Sequence, residues 1–245
     1  MKIRKIHIYL GIALVVIVAA AIFYAMPFAK KQNKSEGIDQ DKVNLVWFVD
    51  KDGYLYYPLN RGQVEFRKDN YSQTDNLTIS RIIYKSAKGN IYGLLVLPKS
   101  ISDLLPGVVL LPGAGVSKES ELSLAENIAE LGAAVLTIDQ RGVGETGGRV
   151  PPLDEDYASF LTAKEPYQHI MVYDALRAYD LLYSAPFVDP DRIIIAGESL
   201  GGRIAIIAAA TDRNIKGLMV ISSAGFDFKG GPDEKKNAFL KSIDS

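Results

Sequence analysis

The segment Ile193-Ile194-Ile195-Ala196-Gly197-Glu198-Ser199-Leu200-Gly201-Gly202 joins two apolar stretches through a serine flanked by glycines. Before it, Ile193–Ala196 is a short, fully apolar run of the kind buried in a parallel sheet. After it, residues 200–210 (LGGRIAIIAAA) form an apolar helix pattern. Ser199 therefore sits on a sharp strand-to-helix turn, which lifts its hydroxyl clear of the backbone at the cost of a strained conformation. Such a turn crowds the residues two before and two after the serine, and both are glycine: Gly197 and Gly201. Gly202 lets the helix lie close to the sheet. The helix N-terminus behind Ser199 favours developing negative charge. Gly-x-Ser-x-Gly alone is a weak motif, but in a strand–turn–helix context it marks a nucleophile elbow.

Outward from the elbow the chain alternates strands and helices. Ile79–Lys85 and Asn90–Leu97 read as a hairpin around Ser86-Ala87-Lys88-Gly89. Val108–Leu111 is a second buried strand. A helix follows with Leu124, Ile128 and Leu131 at helical spacing, closed by Gly132. Ala133–Ile138 is the next strand, 140–164 a long Gly/Pro-rich loop, and a further helix carries Val172, Leu176, Tyr179 and Tyr183 on one face. Leu218–Ser222 is the last strand. This alternation predicts an α/β fold, with a mostly parallel sheet covered by helices on both faces.

Three more stretches extend the pattern: residues 91–98 (IYGLLVLP), residues 108–115 (VVLLPGAG) and Asp139-Gln140-Arg141-Gly142-Val143-Gly144. Together with the elbow they resemble the α/β-hydrolase superfamily over residues 79–222, closest to dienelactone-hydrolase-like esterases and related serine peptidases. The resemblance implies a serine hydrolase acting on a carboxylic ester, thioester or peptide bond, with Ser199 as nucleophile. It also implies an oxyanion hole formed by the backbone N–H groups of Leu200 and Ala114. The oxyanion loop of that branch usually begins His-Gly; here Pro112-Gly113 stands in its place, a departure that backbone donors tolerate. Asp139 and Arg141 read as a loop-stabilising pair beneath the site.

The superfamily order is Ser, then acid, then His. After Ser199 come Asp212, Asp227, Asp233, Glu234 and Asp244, but no histidine. The chain has two histidines, His7 and His169. His169, read as a surface residue of a first helical turn, is the remaining substitute base. The resemblance implies two further strands bearing acid and base. The expectation is thus a domain truncated at its C-terminal end, weak or inactive alone, with a downstream-encoded segment as partner. A membrane-anchored pseudoenzyme or binding module, keeping the pocket without catalysis, is the alternative.

Lys2, Arg4 and Lys5 precede an apolar run over residues 6–28, followed by Lys30 and Lys31. At about 1.5 Å per residue such a run crosses a hydrocarbon core of roughly 30 Å, and Met26-Pro27-Phe28-Ala29-Lys30 is a poor signal cleavage site. The reading is an uncleaved anchor over 1–29, a linker over 30–42, a small β-rich lead-in over 43–78 and the hydrolase domain over 79–245. Asn-x-Ser/Thr sequons at Asn33, Asn70 and Asn76 accord with a main domain outside the cytoplasm. Lys+Arg 28 against Asp+Glu 29, with no basic stripe, argues against nucleic acid as a partner. The absence of cysteine excludes disulfides, thiolate metal sites and a thiol nucleophile. No metal or phosphate motif is present, so no cofactor is implied. The partner is a small-molecule or peptide acyl substrate.

Overall fold

The computed structural model describes residues 47–50, 54–162 and 164–223. The anchor assigned to residues 6–28, the linker, Asn33 and Asp227 lie outside the described residues. Among those described, no helix is long and apolar enough to cross a membrane.

The elements in chain order are β1 (Phe48–Val49), β2 (Leu55–Tyr56), β3 (Phe66–Gln73), β4 (Leu77–Ser86), β5 (Gly89–Pro98), β6 (Leu105–Leu111), α1 (Leu122–Glu130) and β7 (Ala134–Ile138). They continue with α2 (Leu153–Leu161), α3 (Tyr167–Tyr183), β8 (Val188–Glu198), α4 (Leu200–Thr211) and β9 (Gly217–Ile221). β1 and β2 pair with each other, and the rest form a seven-stranded sheet in the order β3-β4-β5-β7-β6-β8-β9. The sheet has two halves. β3, β4, β5 and β7 run antiparallel to their neighbours, whereas β7, β6, β8 and β9 run parallel.

The apolar runs explain the parallel half. All five residues of β7 are buried, and β6 sends Val109 and Leu111 into one core and Val108 and Leu110 into the other. This is the period-2 alternation of a strand covered on both faces. The first core packs against α3 and α4, the second against α1. At the other extreme, β3 (FRKDNYSQ) is almost wholly exposed and pairs only with β4 among the described strands. Its Arg67, Lys68 and Asp69, with a register shift between Asn70 and Ser72, are features that discourage pairing with another chain. Residues 66–73 were expected in a lead-in and instead edge the main sheet. Within the stretch read as one long loop, residues 153–161 form α2.

A buried ionic group fastens the segment before β3 to the helices. Arg61 donates to Asp180 at 2.6 and 2.9 Å and to Asp212 at 2.6 Å. Arg177 donates to the carbonyls of Arg61, Gly62 and Gln63 and to Asp180. The Arg61 and Asp212 side chains are 2% and 0% exposed, so neither charge has water as an alternative partner.

Candidate active site

β8 ends at Glu198 and α4 begins at Leu200, leaving Ser199 alone at the turn. Its φ is +50° with ψ −111°, a conformation rarely adopted by a residue with a side chain. Ser199 is exposed, and its N–H donates to Ile221 O at 2.9 Å. A Cβ on Gly197 would stand 2.3 Å from Gly201 C, and one on Gly201 would stand 2.1 Å from Leu111 O. The expected crowding is therefore present, with the end of β6 as a second wall against Gly201. Gly202 would strike Ser223 Cβ at 2.8 Å and Val220 Cγ1 at 2.9 Å.

The loop after β6 comes up beside the serine: a Cβ built on Gly113 would lie 3.6 Å from Ser199 Cβ. Val116 N–H donates to Gly113 O at 3.2 Å, and Gly115 has φ +72°, so residues 113–116 form a turn that demands glycine at its third position. Ala114 is exposed at its tip. Leu200 is the first residue of α4, where backbone N–H groups have no partner within the helix. Both assigned oxyanion donors thus border the same space.

That space is a cleft of about 160 Å³ lined by Ala114, Leu200, Gln140, Asp156, Tyr167 and Gln168, among others. Asp156 reaches from α2 to accept the N–H groups of Tyr167 and Gln168, capping α3 from outside its own sequence. Burial raises the Asp156 pKa, and those N–H bonds counter the rise. Burial also lifts the Tyr167 phenol to about 12. Sequence reasoning passed over Gln140, Asp156, Tyr167 and Gln168, because nothing in their local pattern distinguishes them from ordinary loop and helix residues.

Asp139 and Arg141 do not pair with each other. Asp139 binds Lys118 and the Glu145 N–H, while Arg141 grips Asp174 at 2.6 and 2.9 Å. Both brace loops, as expected, but through separate partners.

His169 is not a surface residue. It is 0% exposed, edge-on to Trp47 at 4.7 Å and to Phe160 at 6.1 Å, and both ring nitrogens are buried without a hydrogen-bond partner. It therefore makes no hydrogen bond to Ser199. Desolvation lowers its pKa to about 4. The unfolded chain takes up this proton near pH 6.5 and the folded chain only near pH 4, so this contribution to stability is full above about 6.5 and is lost as pH falls through that window. Between pH 7 and pH 5 the loss is about 2 kcal/mol. His169→Phe should abolish this part of the pH dependence and melt at or above the wild-type temperature at pH 5. A variant that remains as acid-sensitive as wild type would contradict this assignment.

A model of the acetyl xylan esterase (AXE1) family matches residues 60–229. The chain belongs to that family. Among curated proteins, it is 36% identical over 94 residues to YtaP of Bacillus subtilis strain 168, covering 38% of this chain and 31% of that protein. It is 28% identical over 182 residues to the acyltransferase drtE of Aspergillus calidoustus, covering 74% and 50%. The chain thus spans at most half the length of these two relatives. The acetyl xylan esterase from Paenibacillus sp. R4 has the same fold, with TM-score 0.63, 23% identity, and coverage of 76% of this chain and 69% of that one.

Proposed function

We propose that this member of the acetyl xylan esterase family is a serine esterase that forms an acyl-enzyme at Ser199 on small carboxylic esters. One observation carries the reading: Ser199 is an exposed serine held at φ +50°, with the Gly113–Val116 turn beside it and a helix N-terminus behind it. In the reaction, Ser199 Oγ attacks the acyl carbon, and the carbonyl oxygen takes up negative charge between the N–H groups of Ala114 and Leu200. The alcohol then leaves with a proton, and water later releases the acid. The cleft under Gln140 and Tyr167 accommodates the substrate beside the serine.

No histidine follows Ser199 in this sequence, and His169 is held unpaired in the core. This chain by itself is therefore expected to acylate slowly, aided by positioning and the oxyanion donors alone, which in a serine protease retain roughly 10³–10⁴-fold catalysis over water. Incubation with p-nitrophenyl acetate should place an acetyl group on the Ser199 peptide, detectable by mass spectrometry and absent in Ser199→Ala. Added imidazole, acting as an external base, should raise the Ser199-dependent rate. The burial of His169 with no hydrogen-bond partner also favours a second reading, a binding module without turnover. No adduct at Ser199 with or without imidazole would decide for that module.

A further inference from the structure

The oxyanion turn is fastened at both ends from one place, the two residues that follow β7. At its leading end, Gln140 Nε2 donates to Pro112 O, and Gln140 is buried. A carbonyl can only accept, which fixes the amide with its nitrogen toward Pro112. At the trailing end, Asp139 Oδ1 accepts the Lys118 N–H at 2.8 Å and Asp139 Oδ2 accepts Lys118 Nζ, also at 2.8 Å. Lys118 is 0% exposed. Its ammonium also meets Glu119 at 2.7 Å and Glu145 at 2.9 Å, so three carboxylates satisfy its three donors. Burial opposes the charge on Lys118, but these hydrogen bonds prevail and hold its pKa above the ordinary lysine value. Asp139 is itself anchored, since its N–H donates to Tyr92 O in β5 and its Oδ2 accepts the Glu145 N–H.

Between these two ties stand only Gly113 to Ser117, including the Gly113–Val116 hydrogen bond and Ala114. We infer that Gln140 and the Lys118–Asp139 pair are positioning residues that hold the oxyanion turn in register with Ser199, through Pro112 on one side and the Lys118 backbone on the other. The inference rests on the esterase reading for its consequence, since the turn matters only if Ala114 N–H meets a developing oxyanion. Preorganised donors are effective because they need no rearrangement when charge develops, and a turn freed at either end would have to be reassembled in each event.

The test uses the full chain and two independent variants. Gln140→Met removes one tie without stranding a charge. Lys118→Met combined with Asp139→Leu removes the other tie, since a leucine cannot accept the Lys118 N–H, and it deletes both members of the buried pair, while Glu119 and Glu145, with side chains 41% and 38% exposed, keep water as a partner. Amide hydrogen exchange should show Val116 N–H exchanging about tenfold faster in either variant, with Val109 in β6 within about twofold of wild type. The rate constant for acylation of Ser199 by p-nitrophenyl acetate should fall about tenfold in either variant, and in the Lys118–Asp139 double variant, which leaves the cleft lining intact, the apparent affinity should stay within about twofold. The inference is overturned if Val116 exchange is unchanged, if it rises only in step with Val109, or if the turn loosens while acylation is unaffected. Ser199→Ala should leave Val116 exchange as in wild type. If the wild-type chain never acylates, the esterase reading fails, and exchange at Val116 still decides whether these residues hold the turn.

Discussion

Gly201→Ala should prevent the domain from accumulating in folded form. A methyl group at that position would sit 2.1 Å from Leu111 O and 2.5 Å from Pro112 O, both backbone atoms at the end of a central strand. No rotamer change relieves a clash with backbone, so β6 and α4 would have to separate. That opens the contact on which both the elbow and the oxyanion turn depend, and overpacking of this kind costs at least about 3 kcal/mol. Gly132→Ala is the matched control: it also introduces a methyl group, at φ +95°, but meets nothing within 4 Å. That control should fold with a cost of roughly 1–2 kcal/mol from the backbone conformation alone. Soluble yield and a thermal melt distinguish the two, and a Gly201→Ala protein as stable as the Gly132→Ala protein would contradict the packing described here.

Arg61→Met should lower stability by about 3–5 kcal/mol, because it strands a buried carboxylate. Asp212 is fully buried, and Arg61 is its cationic partner; the other described hydrogen bond to its carboxylate comes from the Asn214 N–H at 2.9 Å. Asp180 is better protected, since Arg177 remains beside it at 2.9 Å. For a domain of this size the loss corresponds to a melting temperature lower by roughly 6–20 °C. Arg61→Met with Asp212→Asn should recover a substantial part of the loss, because the second change removes the unpaired charge. Equal melting of the two variants would mean that the Arg61 side chain acts through packing and not through its charge.

What could be read in the sequence follows from how far each determinant reaches. The elbow was legible because Gly197, Ser199, Gly201 and Gly202 constrain one another within six residues, and because the strand before them is apolar throughout. β6 and β7 were legible for the same reason, since burial on both faces leaves a continuous apolar run, and β9 is equally apolar in sequence although its Leu218 and Val220 are exposed. β3 was missed because an exposed edge strand has no buried face to impose alternation, and FRKDNYSQ shows none. α2 was missed inside a segment dominated by glycine and proline. His169 was misread because a histidine near a helix start carries no local mark of burial; its surroundings come from Trp47 and Phe160, elements apart in sequence. The same distance hid the roles of Lys118, whose buried partner Asp139 is 21 residues away, and Arg61, whose partner Asp212 is 151 away. The sequence reading placed Asp139 and Arg141 correctly as braces but joined them to each other, since a neighbouring acid and base invite that pairing.

The hydrogen bond from Ser199 N–H to Ile221 O makes the strained turn a latch on the β8–β9 seam. For Ser199 to relax toward an ordinary backbone conformation, its N–H would have to swing away from Ile221. The seam ends at the Glu198–Ile221 pair, so that swing unzips the seam from its tip. The strained conformation of Ser199 is consequently as durable as the docking of β9, and it fails together with it. Whatever settles on or peels away β9 therefore sets, through one amide, whether Ser199 stays cocked or falls slack.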